Sequence, residues 1–123
     1  MIILDTSVLI EALGRSGRMR DQLRAAWAEG ERIRVPTLVQ YEWERGPRTP
    51  PERTAFDRLF PETEWIAFGP EEARVAARLY RSVSNPRRRE IDLAIAASAI
   101  SWDGALWTLN RRDFEDIPGL ELR

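Results

Sequence analysis

From Leu93 to Trp102 the chain reads Leu-Ala-Ile-Ala-Ala-Ser-Ala-Ile-Ser-Trp without one charged residue, although 32% of its 123 residues are charged. This stretch reads as most of a helix over residues 90–101, and a helix apolar on nearly every side has to be buried on nearly every side. The chain opens on a second uncharged stretch, Met1-Ile2-Ile3-Leu4, which runs directly into Asp5. A short continuous apolar run is the pattern of a strand covered on both faces, as in a parallel sheet.

Between these two stretches strand and helix patterns alternate. Strands are expected at residues 2–4, 33–35, 63–68 and 105–109, with a last edge strand at 120–122. A short helix over 8–13 ends near Gly14, and a second over 18–29 places Met19, Leu23, Ala26 and Trp27 on one side before Gly30 stops it. Thr37 is the expected N-cap of a third helix that runs to Gly46. Thr49-Pro50-Pro51-Glu52 resembles a capping box and opens a fourth, through Phe60. Gly69-Pro70-Glu71-Glu72 opens a fifth, whose apolar face is expected to be Ala73, Ala76, Ala77, Tyr80 and Val83, and which Ser84-Asn85-Pro86 breaks. Alternation of this kind predicts an α/β fold, a mainly parallel sheet with helices on both faces. The chain is expected to form a single domain over 1–123. No apolar run approaches the roughly 20 residues of a membrane span, and no basic region precedes the first apolar stretch, so no membrane or secretory segment is expected. The absence of cysteine is compatible with a cytoplasmic location.

What is missing narrows the chemistry further. The chain has no histidine and no cysteine, and all 19 basic residues are arginine. Ser-His-Asp, Cys-His and Ser-Lys arrangements, Schiff-base chemistry and a Walker-type phosphate lysine are therefore excluded. Zinc would lack its usual nitrogen and sulfur ligands. Any catalysis falls to Asp and Glu, whose oxygens suit Mg²⁺ or Mn²⁺. With a net charge of −1 the molecule has no global field to attract a polyanion, which would need a local arginine patch and a metal.

Four places offer the acids. Asp5 ends the first strand, where α/β folds keep their chemistry, though an Asp there also suits a helix cap. Asp92 heads the uncharged helix, where a carboxylate is costly unless it is paired, capped or metal-bound. Glu42 lies more than one turn into the third helix, on the side of Leu38 and Val39; a solvated or salt-bridged acid is the ordinary alternative. Asn110 and Asp113 follow the last long strand, where either a site or plain turn chemistry would account for them.

The segments Ile3-Leu4-Asp5-Thr6-Ser7-Val8-Leu9-Ile10, Glu42 with Gly46, Asp92-Leu93-Ala94-Ile95-Ala96-Ala97-Ser98-Ala99, and Thr108-Leu109-Asn110-Arg111-Arg112-Asp113-Phe114 together resemble a PIN domain, in particular the VapC-type toxins of toxin–antitoxin pairs. The resemblance covers essentially the whole chain. It implies a three-layer α/β/α sandwich and a metal-dependent ribonuclease, the toxin of a type II pair, with RNA as substrate and an antitoxin as partner. It puts Asp5, Glu42 and Asp92 at the family's three main acids, with Mg²⁺ or Mn²⁺ as cofactor, and leaves Asn110 or Asp113 to complete the site. Ser7 falls on a small polar position beside the first acid.

Arg87, Arg88, Arg89, Arg111 and Arg112 are candidate RNA contacts, since guanidinium groups grip phosphate bidentately; a solvated charged loop is the alternative. The five tryptophans are core by default. A homodimer is expected, with Trp43 or Trp102 the aromatic that could reach its surface. A catalytically weak or inactive PIN-like interaction domain is the competing function, and Asn110 is its main support.

Overall fold

The computed structural model describes every residue from Met1 to Arg123. Four short strands, β1 (Ile2–Leu4), β2 (Ile33–Pro36), β3 (Trp65–Ile66) and β4 (Ala105–Trp107), form one sheet in the order β3-β2-β1-β4, and every pairing is parallel. Six helices flank it: α1 (Thr6–Leu13), α2 (Arg20–Ala28), α3 (Thr37–Arg45), α4 (Pro50–Leu59), α5 (Pro70–Ser82) and α6 (Glu90–Ser101). The expected PIN-like α/β/α architecture is what the chain adopts.

β1 lies inside the sheet, with Ile2 opposite both Ile33 and Ala105, and all three of its residues are buried. That is why its sequence has no polar alternation: both faces are covered. α6 bears out the reading of its sequence, for every residue from Leu93 to Ala99 is buried. The Ser98 hydroxyl is satisfied within the helix, donating to the Ala94 carbonyl at 3.2 Å. The 28 buried apolar residues of the core form one cluster from β1 through α6 to Ile117. An aromatic group knits α2, α3, α4 and β3: Trp43 stacks on Phe56 at 4.7 Å, and Phe60 sits within 6 Å of both Trp27 and Phe56.

Several local expectations change. Residues 63–68 do not form one strand: Glu62–Glu64 make a 3₁₀ turn, and only Trp65 and Ile66 pair with β2. The chain has to leave the sheet at once to enter α5 at Pro70. Thr37 is the first residue of α3 and not its cap, because β2 runs straight into the helix and Pro36 takes the boundary position. Thr49 does cap α4, accepting from the Glu52 N–H at 3.3 Å, but the Glu52 carboxylate takes the Thr49 hydroxyl instead of reaching a backbone N–H. The buried stripe of α5 is Glu72, Val75 and Leu79, and Ala73 and Ala77 face outward. β4 ends at Trp107, two residues short of expectation, and Leu122 contributes one parallel bridge to Leu106 rather than an edge strand. Trp43 is 1% exposed and unavailable to any partner, whereas Trp102 is 38% exposed.

Candidate active site

The carboxyl end of β1 delivers Asp5 into the interior, 5% exposed. It occupies the position before α1, yet its side chain makes no capping bond; the Val8 N–H is taken by the Asp5 backbone carbonyl at 3.2 Å. The carboxylate is engaged elsewhere. Its Oδ2 accepts from the Ser7 and the Thr108 hydroxyls, each at 2.7 Å. Those hydroxyls are themselves fixed: Ser7 Oγ accepts from the Leu109 N–H and Thr108 Oγ1 from the Asn110 N–H, both at 3.0 Å. Short hydroxyl–carboxylate bonds of this kind are charge-assisted and hold the group in one orientation. Ser7, at the small polar position beside the first acid, thus bonds the Asp5 carboxylate directly.

Glu42 enters from the second turn of α3. The Thr6 hydroxyl donates to its Oε1 at 2.7 Å, and Arg45, one turn further on, approaches Oε2 at 3.6 Å. Asp92 stands in the first turn of α6. Its carboxyl is pushed up from 3.8 to about 6, first by its own burial, then by the negative charges of Asp5, Asp113 and Glu42, with Arg89 opposing them. Burial and like charge both disfavour the ionised form. Asp113 lies in the 3₁₀ turn Arg111–Asp113, with its side chain exposed. Three acids from three other segments thus act on Asp92 beyond the carboxyl ends of parallel strands, where open α/β sheets bind ligands.

No three of these acids approach closely enough to form a ready-made metal cage. They fit a hard divalent cation in donor type, all oxygen and all anionic, and in electrostatics, since Asp92 is held in a field that a cation would relieve. Asp5 retains Oδ1 free of side-chain hydrogen bonds, and the Asp92 carboxylate accepts none.

The arginines divide. Arg87, Arg88 and Arg112 are exposed. Arg111 turns toward the chain end and donates to the Arg123 carbonyl at 2.8 Å. Arg89 is not an exposed cation at all: its side chain is 17% exposed and forms a bidentate pair with Asp116 at 2.6 and 2.8 Å. Asn110 is exposed and contributes its backbone N–H to the site, through Thr108.

Sequence reasoning missed Thr108 as a partner of Asp5 and Thr6 as a partner of Glu42. Thr108 lies 103 positions from Asp5 and meets it because β4 pairs with β1, Leu4 opposite Trp107. No local signal reveals that adjacency. Thr6 precedes Glu42 by 36 positions and depends on α1 packing against α3.

The PIN domain family pattern matches residues 2–120, and the chain belongs to that family. Among characterised relatives it is 30% identical over 123 residues to Ribonuclease VapC19 of Mycobacterium tuberculosis, covering 98% of each chain. Several solved structures share its fold, among them two complexes with DNA. One is VapBC2 from Rickettsia felis bound to a promoter DNA fragment, with TM-score 0.74 and 22% identity over 100% of this chain and 98% of that one. The other is DNA-bound VapBC from Salmonella typhimurium, with TM-score 0.76 and 20% identity over 99% and 96%.

Proposed function

We propose that the chain is a metal-dependent ribonuclease that hydrolyses RNA phosphodiester bonds and acts as the toxin of a type II toxin–antitoxin pair. The observation that carries this reading is the convergence on Asp92, at the head of a buried helix, of the negative charges of Asp5, Asp113 and Glu42 from three other segments. Asp5 and Asp92 are the direct metal ligands in this reading, with Glu42 and Asp113 completing the anionic ring. Asp113 is preferred to Asn110 because its charge is felt at Asp92 and a carboxylate is the stronger ligand.

Asp5, Asp92, Glu42 and Asp113 would hold Mg²⁺ or Mn²⁺, which would supply activation of water and stabilisation of charge on the phosphoryl oxygens. The protein's own groups do the rest. Ser7 and Thr108 fix the Asp5 carboxylate, and Thr6 and Arg45 fix Glu42, so that ligands are aimed before substrate arrives. Arg87, Arg88 and Arg112 grip flanking phosphates. The assay is cleavage of structured RNA by purified protein with and without EDTA, beside Asp5→Asn and Asp92→Asn. Loss of cleavage in both variants and with EDTA is expected; full-rate cleavage by either variant would sink the assignment.

Support for an antitoxin comes from a groove of about 720 Å³ between α1, α2 and α4. Its lining includes the apolar Leu13, Leu23, Trp27 and Leu59 together with Arg20, Arg24 and Arg58. That lining suits an amphipathic segment bearing acidic residues. No helix is long and apolar enough to cross a membrane, and we place the protein in the cytoplasm, as one domain and as a homodimer. The competing reading, an interaction domain without catalysis, draws on the wide spacing of the acids; a chain that binds its partner but cleaves no RNA at any metal concentration would favour it.

A further inference from the structure

Two of the acid-bearing segments are tied together by one side chain. Arg89 immediately precedes α6, and its backbone carbonyl accepts the Leu93 N–H at 2.8 Å, which closes the first turn that carries Asp92. Its guanidinium reaches across to the turn that carries Asp113. Nη2 donates to the Asp113 carbonyl at 3.0 Å and to Asp116 Oδ1 at 2.6 Å; Nη1 donates to Asp116 Oδ2 at 2.8 Å and to the Ser84 carbonyl at 3.4 Å. A guanidinium has four terminal N–H donors, and these four bonds engage them all. Arg89 therefore has no fork left for a phosphate, unlike Arg87 and Arg88 beside it.

We propose that Arg89 is a positioning residue, and that its clamp with Asp116 holds the Asp113 turn against the head of α6 so that Asp92 and Asp113 face one cation together. The inference rests on the metal-dependent reading above and assigns Arg89 a place in it other than substrate contact. A planar fork suits the task because it fixes direction as well as distance, whereas an ammonium group fixes neither. Within the segment, Asp113, Glu115 and Asp116 are exposed, Phe114 and Ile117 are buried, and the Phe114 and Glu115 N–H groups donate to the Arg111 carbonyl; the Arg89 clamp is the side-chain tie from this turn to the head of α6.

The test uses Arg89→Lys and Asp116→Asn in the full chain, with three readouts. Amide hydrogen exchange at Phe114 and Glu115 reports the turn itself. Calorimetric titration with MgCl₂ in the absence of RNA reports the site. Steady-state cleavage separates kcat from KM. Both variants are expected to remain folded, to exchange faster at those amides, to bind Mg²⁺ roughly tenfold more weakly and to lose roughly tenfold in kcat with KM nearly unchanged. Asp116 is exposed, so Asp116→Asn decides the matter even if the Arg89 variant fails to fold. Unchanged exchange and Mg²⁺ affinity in both variants would overturn the proposal, as would a raised KM with normal kcat, the mark of a lost phosphate contact. A wild-type chain that neither binds Mg²⁺ nor cleaves RNA would remove the proposed function and the cation with it, while the exchange data would still judge the clamp.

Discussion

At the scale of single residues, two carboxylates of the site, Asp5 and Glu42, are held by hydroxyls. Asp5 could have been a helix cap by its sequence position; the structure gives its carboxylate to Ser7 and Thr108 instead. Thr108→Val keeps the shape and removes the hydroxyl, leaving the carboxylate with one of its two bonds. It is expected to lower cleavage about tenfold and to destabilise the fold by about 1–2 kcal/mol, read by kinetics and by urea denaturation. Asp5→Asn removes one of the two proposed direct ligands and is expected to cost a hundredfold or more on the same reasoning. Asp92 makes a prediction about pH. Its carboxyl titrates near 6 in the folded chain against 3.8 ordinarily, so the folded state binds the proton more tightly. The stability this lends is present below about pH 4 and is lost as pH rises through about 6, an effect on the order of 1–2 kcal/mol given the group's partial exposure. Metal-free protein is thus expected to lose stability between pH 4 and 7, and Asp92→Asn to flatten that slope. Mg²⁺ affinity should rise across the same range, since the cation competes with the proton.

At the scale of elements, those that sequence located best are the ones whose environment is uniform. α6 is buried from Leu93 to Ala99 and its composition says so. β1 was legible for the same reason. β3 was not: two paired residues follow a 3₁₀ turn, and the alternation of Trp65, Ile66 and Phe68 extends past the point where the chain must turn toward Pro70. The expected α5 face includes Ala73 and Ala77, which are exposed, because alanine is at home on either side of a helix; the inner position goes to Glu72. Glu72 is buried because its carboxylate accepts from the Gly69 N–H at 3.1 Å and the Trp102 indole N–H at 3.2 Å. Where α6 hands over to β4, Gly104 has no room for a side chain: a Cβ there would stand 2.8 Å from Ile3 Cγ1. Gly104→Ala is expected to destabilise by about 1–3 kcal/mol through overpacking against β1, as measured by thermal or chemical denaturation.

At the scale of the whole molecule, the parallel sheet acts as a collector. β1, β2 and β4 point their carboxyl ends the same way, so Asp5, the start of α3 and the turn after β4 emerge together, and α6 brings Asp92 to meet them. A cation that binds there stabilises the whole fold, because the unfolded chain scatters the four acids. With Mg²⁺ at about a hundredfold above its Kd, the gain is about 2.7 kcal/mol, which for a domain of this size is a rise of several degrees in Tm. EDTA should reverse it, and Asp5→Asn should abolish it. An equal rise in that variant would place the bound cation elsewhere on the protein.

What the sequence by itself determined is the chemistry and the class of fold. A chain with no histidine, cysteine or lysine leaves catalysis to carboxylates, and strands that alternate with helices, one of them uncharged from Leu93 onward, require a covered parallel sheet. Both are properties of composition and of local periodicity, which is why they can be read from a chain alone. Tertiary structure decided which groups serve those carboxylates. The order β3-β2-β1-β4 sets β4 beside β1 and so gives Thr108 to Asp5; the packing of α1 on α3 gives Thr6 to Glu42. It also took Arg89 out of the exposed basic run and bound it to Asp116. These partners are separated by 27 to 103 positions. Hydrogen bonds form between neighbours in space, and only the folded sheet makes these residues neighbours.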